Sequence, residues 1–99
     1  MSETVIVRYR TRPEAAEENA RLVENVYAAL AATDPGDFRY ETYRLDDGTT
    51  FVHIARVTGA NPLTDLPAFV EFQRDLAQRC AEPPAPAAAS LVGSYGRRD

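Results

Sequence analysis

The sequence predicts an α+β domain: a four-stranded antiparallel sheet of order 4-1-3-2 with two helices packed on one face. Three observations carry this expectation. Alternation of period two recurs in four short runs, and two stretches with apolar residues every three or four positions lie between the first and second runs and between the third and fourth. An Asp47-Gly48 pair then joins the two middle runs as a tight hairpin. Strand, helix, strand, strand, helix, strand is the split βαβ or ferredoxin-like arrangement, and right-handed crossovers put the first and third strands in its centre.

The first strand is expected over residues 4–10, where Val5, Val7 and Tyr9 alternate with Ile6, Arg8 and Arg10. Thr11 and Glu14 have capping-box spacing, Pro13 suits a first turn, and Glu14, Glu17 and Glu18 favour the positive end of a helix dipole. The helix that starts there turns Ala16, Ala20, Val23, Tyr27 and Leu30 inward, with Val26 beside them. A Glu17–Arg21 pair lies on its solvent side, and Asp34-Pro35-Gly36-Asp37 ends it.

Residues 38–45 and 50–58 are the hairpin strands. A two-residue loop at Asp47-Gly48 and a four-residue loop from Asp46 to Thr49 both oppose residues whose numbers sum to 95, so His53 faces Thr42. One face then carries Phe38, Tyr40, Thr42, Arg44, Phe51, His53, Ala55 and Val57, and the other Arg39, Glu41, Tyr43, Leu45, Val52, Ile54 and Arg56. Gly59 to Pro62 breaks the strand, and Asp65 is placed to cap a second helix over residues 66–80 with Leu66, Phe69, Phe72 or Gln73, Leu76 and Cys80 inward. Residues 82–86, Glu-Pro-Pro-Ala-Pro, read as a stiff extended connection, residues 88–95 as the last strand and residues 97–99 as a frayed tail.

A chain of 99 residues is expected to form one domain. No apolar run approaches the length that spans a bilayer, and the N-terminal residues lack the pattern of a secretion signal, so a cytoplasmic protein with no membrane partner is expected. The single Cys80 leaves no internal disulfide and no metal-site spacing. A net charge of -4 argues against nucleic acid as a partner. Helices cover one sheet face only, while both faces of the hairpin are substantially apolar; the uncovered face is expected to bury itself in a homodimer, its arginines paired across the interface, for example with Glu41.

His53, the only histidine, is the candidate catalytic residue, since an imidazole can take a phenolic proton or steady the resulting anion. Strand parity aims it at the helices, where it meets Tyr9, Tyr40, Phe69 and Phe72 as candidate substrate-binding residues. Arg44 shares its face as a candidate oxyanion partner. The plain alternative is a buried histidine satisfied by Thr42 or a tyrosine. Arg8, Arg10, Arg39 and Arg56 read as interface ion pairs or as a grip on an anionic ligand, and Cys80 as a small buried hydrophobe.

Val5-Ile6-Val7-Arg8-Tyr9-Arg10-Thr11-Arg12-Pro13, the segment Phe69-Val70-Glu71-Phe72 and the closing Leu91-Val92-Gly93-Ser94-Tyr95-Gly96 resemble the antibiotic-biosynthesis monooxygenase-like group of the dimeric α/β-barrel superfamily. The resemblance implies a homodimer joined sheet to sheet, with a cavity between helices and sheet in each subunit. It also implies oxygenation of a small aromatic or phenolic compound without metal or flavin, so no cofactor. Other relatives isomerise lactones, degrade haem or only bind, and a non-catalytic small-molecule binder or dimeric interaction module of the same fold is the alternative function. The chain departs from the phenol-oxygenating and haem-degrading relatives in having no tryptophan, and its second helix contains no histidine to ligate haem, which argues against haem degradation.

Overall fold

A computed structural model describes residues 2–36 and 38–96. Strand β1 (Ser2–Thr11) leads through a 3-10 turn (Pro13–Ala15) into helix α1 (Ala16–Thr33). Strands β2 (Phe38–Arg44) and β3 (Thr50–Thr58) follow, then helices α2 (Pro67–Arg74) and α3 (Leu76–Arg79) and strand β4 (Cys80–Ala89). The sheet order is β2-β3-β1-β4, which is 4-1-3-2 read from the other edge, and every pairing is antiparallel. This is the ferredoxin-like α+β arrangement that the order of elements predicts.

The hairpin register is the expected one, with Phe38 opposite Val57, Thr42 opposite His53 and Arg44 opposite Phe51. Asp47 secures the loop by accepting hydrogen bonds from the Thr49 and Thr50 N–H groups and the Thr50 hydroxyl. Leu45 N–H reaches the Thr50 carbonyl at 2.9 Å, so four residues form the loop, and Gly48 takes a φ of +79° that a glycine adopts without strain. The odd-numbered residues of β1 and β3 face the helices. There Tyr9, Phe51, Val23, Val26, Leu63, Leu66, Phe72 and Leu76 form the buried core.

Four local expectations fail, each for a physical reason. The capping box does not form: Thr11 is still the last residue of β1, and its hydroxyl is spent on the Thr49 carbonyl at 3.3 Å. Pro13 does open the turn, but Arg12 occupies the N-cap position without a side-chain cap. Asp65 does not cap the second helix either, because Leu66 is the N-cap and Pro67 follows in the first turn. That helix does not run to Cys80. It breaks at Asp75 (φ -120°, ψ 27°), and the Phe72 carbonyl near the C-terminal end of α2 accepts from Arg79 Nη2 at 2.6 Å. Finally, Glu17 reaches across to Arg44 at 2.9 Å rather than along its own helix to Arg21.

The largest correction concerns the last strand. Pairing with β1 begins at Cys80, so the proline-rich segment is itself β4, and residues 90–96 continue past it without regular structure. Proline removes a donor, which bars it from a central strand, but β4 is an edge that pairs only with β1. The register shifts between Arg8–Ala85 and Arg10–Glu82, so Pro83 and Pro84 fall in an irregular stretch of the ladder. Leu91, Val92 and Tyr95 of the expected strand are exposed. Residues 97–99 and Asp37 lie outside the described residues. Among the described residues no helix is long and apolar enough to cross a membrane.

Candidate functional site

The site forms where β1, β2 and β3 turn their helix-facing side chains toward α1 and α2. Register alone brings the first residues together: His53 lies between Val7 of β1 and Thr42 of β2, while Tyr9 and Tyr40 sit one step away on the same face. The Tyr9 hydroxyl is 2.8 Å from His53 Nε2. The Tyr40 hydroxyl is 2.7 Å and the Thr42 hydroxyl 3.1 Å from Nδ1. Both ring nitrogens are therefore engaged, and the imidazole is 5% exposed. The rings pack as one aromatic cluster, with His53 centroids 5.3 Å from Tyr9, 5.8 Å from Tyr40 and 5.5 Å from Phe72, and Phe69 a further 5.9 Å from Phe72.

Beside this cluster is a partly open cavity of about 260 Å³. Its sheet wall is Val5, Val7, Ala55 and Val57, its helix wall Phe69, Phe72 and Leu76, and its rim includes Asn61, Gln73 and the β4 prolines Pro84 and Pro86. Tyr9, Tyr40 and His53 supply the other polar atoms. The proline-rich strand thus has a local function in the fold, closing one side of the cavity with rigid apolar rings. Small-ligand pockets start near ~300 Å³, and a ~150 Å³ void already holds a benzene, so this space fits roughly one or two fused rings. Among the described residues no charged side chain lines it.

Burial sets the electrostatics. It holds the His53 pKa down, from its ordinary 6.5 to about 4, and pushes the Tyr9 and Tyr40 phenols well above their ordinary range. The cluster is neutral at pH 7. Among the described residues no group of three His, Cys, Asp or Glu side chains converges as a metal site.

Five of the six residues singled out from the sequence, Tyr9, Tyr40, His53, Phe69 and Phe72, line this one cavity. Arg44 does not. It lies on the same sheet face but toward the hairpin end, held by Glu17 (2.9 Å) and the Gly48 carbonyl (2.8 Å) with its guanidinium 5.7 Å over Phe51. An oxyanion beside His53 therefore has no partner in Arg44. Behind the cluster stand two residues that sequence reasoning missed: Asn19 Nδ2 donates to the Tyr9 hydroxyl at 2.9 Å, and Arg79 Nε donates to Asn19 Oδ1 at 3.1 Å. Thr42, expected opposite His53, also shares a hydrogen bond of 2.8 Å with the inward-facing Tyr27. Asn19 is fully buried and Arg79 6% exposed. The available signal was a polar residue inside each apolar stripe, Asn19 between Ala16 and Val23, and Arg79 three positions after Leu76.

Comparison with known proteins agrees with this fold. No curated protein matches the sequence. Among solved structures, Rv0793 from Mycobacterium tuberculosis is similar with a TM-score of 0.71 and 21% identity, over 97% of this chain and 100% of that one. A variant of SnoaB, a cofactor-independent oxygenase from Streptomyces nogalater, gives 0.68 and 19% over 97% and 98%. NE2512 from Nitrosomonas europaea, a protein of unknown function, gives 0.70 and 14% over 100% and 98%. Identities this low carry the fold alone. Residues 3–56, which span β1, α1, β2 and most of β3 and include Tyr9, Tyr40 and His53, match the family described as antibiotic biosynthesis monooxygenase. That match covers more than half of the chain, and the protein belongs to the antibiotic biosynthesis monooxygenase family.

Proposed function

We propose that the protein is a cytoplasmic homodimer that oxygenates a small, uncharged aromatic or phenolic compound with no metal or flavin. The observation that carries this reading is the apolar cavity whose polar atoms converge on one histidine held between two tyrosines. Family membership and the likeness to a cofactor-independent oxygenase support the reaction class. The stoichiometry closes without a cofactor when a ring carbon carries two hydrogens in the substrate's keto form. One oxygen atom replaces them, and the other leaves as water with the two protons and two electrons released.

His53 serves as the proton acceptor in this proposal. Its nitrogens already hold hydroxyls, so the ligand's proton reaches it through the hydroxyl of one tyrosine lining the cavity, while the second tyrosine donates to the resulting anion. Proton transfer from a phenol of pKa ~10 to an imidazole near 4 costs on the order of 8 kcal/mol. Attraction between the phenolate and the imidazolium in a site that excludes water offsets part of this, so a bound anion raises the His53 pKa.

The outer sheet face supports the dimer. Ile6 opposes Ile54, Val52 opposes Arg8, and Arg39 stands directly opposite Arg56 with no helix above them. Like charges in opposed positions are unfavourable, and Glu41 of a second copy is a carboxylate of the right sign to offset them. A second reading, a binder without turnover, draws on one observation: among the described residues no buried side-chain polar atom lacks a partner. Oxygen uptake with a panel of quinols and polyphenols separates the two. Turnover in the wild type, lost by ~100-fold or more in His53→Ala as expected for a general base, supports the enzyme. Binding without uptake supports the binder.

A further inference from the structure

Asn19 and Arg79 do not line the cavity, yet they form one buried hydrogen-bonded line with its polar atoms. The line runs Arg79 Nε to Asn19 Oδ1 (3.1 Å), Asn19 Nδ2 to the Tyr9 hydroxyl (2.9 Å), that hydroxyl to His53 Nε2 (2.8 Å), and His53 Nδ1 to the Tyr40 hydroxyl (2.7 Å). Every member up to the imidazole is at most 6% exposed. A buried row of this kind has a direction, set by whichever member has no choice of role. Arginine is that member, since a guanidinium only donates.

The consequences follow atom by atom. Asn19 must turn its oxygen to Arg79, because a flipped amide would set N–H against N–H. Its NH₂ then donates to the Tyr9 oxygen. Tyr9 is left with its own O–H to donate, and its neighbour at 2.8 Å is His53 Nε2. An Nε2–H tautomer would face the Tyr9 oxygen with a second donor and leave the Tyr9 proton without an acceptor inside the protein. We propose that Arg79 and Asn19 are positioning residues that hold His53 as its Nδ1–H tautomer, with the Nε2 lone pair reserved for Tyr9 and the Nδ1 proton directed at Tyr40 and Thr42. Arg79 is itself held by the Phe72 carbonyl (2.6 Å) and the face of the Phe72 ring, with its guanidinium 5.4 Å from the ring centroid. The anchor of the line is thus fixed by the break between α2 and α3.

This rests on the reading of the cavity as the functional site and divides the two tyrosines by role. A proton accepted from a ligand enters at Tyr9, which lines the cavity and whose own proton passes to Nε2. Tyr40 accepts from Nδ1–H and keeps its own O–H to donate to the ligand anion. Asn19 and Arg79 act only through Tyr9.

The test needs no substrate, and the single histidine makes it unambiguous. Above about pH 5 the ring is neutral, and nitrogen NMR of the labelled protein tells a protonated from an unprotonated ring nitrogen. The wild type is expected to show Nδ1 protonated and Nε2 unprotonated; the opposite pattern overturns the proposal with no variant required. Asn19→Asp keeps size and pairs with Arg79, but its carboxylate accepts from both neighbours. Tyr9 then turns its proton to residue 19 and its oxygen to His53, so the two nitrogen signals are expected to exchange character. Arg79→Lys retains a donor and is expected to keep the wild-type pattern. An Asn19→Asp protein that folds and retains Nδ1–H removes Asn19 from the role. Absence of oxygen uptake would count against the enzyme reading while leaving the tautomer result standing.

Discussion

Acidification offers a quantitative test of how firmly the fold keeps His53 neutral. In the unfolded chain its ring takes up a proton near 6.5, whereas in the folded protein burial defers this to about 4. Protonation therefore favours unfolding. The stabilisation is fully present above about pH 6.5 and is lost as the pH falls through about 4, a total of roughly 3 kcal/mol at 1.36 kcal/mol per unit. Between about pH 7.5 and about pH 5, where most carboxylates remain ionised, the same linkage removes about 2 kcal/mol. Urea unfolding followed by circular dichroism at fixed protein concentration reads this as a fall in midpoint of about 1–2 M, given a slope of ~1–2 kcal/mol/M. His53→Gln keeps a polar side chain and removes the titration. That variant is expected to start less stable and to lose about 2 kcal/mol less over the same interval. Parallel profiles for the two proteins would refute the reasoning, because they would place the imidazole in contact with water.

Tyr9→Phe keeps the ring stack on Phe51 (5.6 Å) but strands Asn19 Nδ2 and His53 Nε2. Each buried orphan costs ~1–3 kcal/mol, so a loss of about 2–6 kcal/mol in urea unfolding is expected, and a loss below about 0.5 kcal/mol would contradict the network. Ile54→Glu puts a charge in the middle of the outer sheet face; sedimentation at micromolar protein is expected to show a dimer for the wild type and a monomer for the variant, and an unchanged dimer would move the interface elsewhere. Asp47→Ala removes the acceptor for the Thr49 and Thr50 N–H groups, so both amides are expected to exchange faster with deuterium. The Thr50 hydroxyl, with these two N–H groups, holds the Asp47 carboxyl down to about 2, and this loop is expected to loosen in the wild type only as the pH falls from 3.8 toward that value.

Residues whose environment follows from local chemistry were legible in the sequence. Asp47-Gly48 fixed a turn, the turn fixed the register, and period two then placed Tyr40 and His53 on the same face as Tyr9. What eluded sequence reasoning was whatever depends on long-range pairing. Prolines at 83, 84 and 86 argue against a strand until it is known that β4 sits at an edge and needs only one ladder. Arg44 shares a face with His53, but parity says nothing of distance along the strand, and Glu17 captures it at the other end. Asn19 and Arg79 are 60 positions apart. Each looks like a flaw in an apolar stripe, and only contact reveals that they satisfy each other and Tyr9.

The most direct test of the central claim, that the cavity beside His53 is where chemistry takes place, is oxygen uptake by wild type and Ala55→Phe with the same quinol panel. Ala55 lies on the sheet wall, directly opposite Tyr40, and takes no part in the hydrogen-bonded line, so a phenyl group there takes up cavity space while every hydrogen-bonding atom of Tyr9, His53 and Tyr40 is retained. The account predicts uptake above the buffer rate in the wild type, with labelled oxygen gas delivering one atom to the product, and uptake at the buffer rate in the folded variant. Undiminished uptake by Ala55→Phe would contradict it.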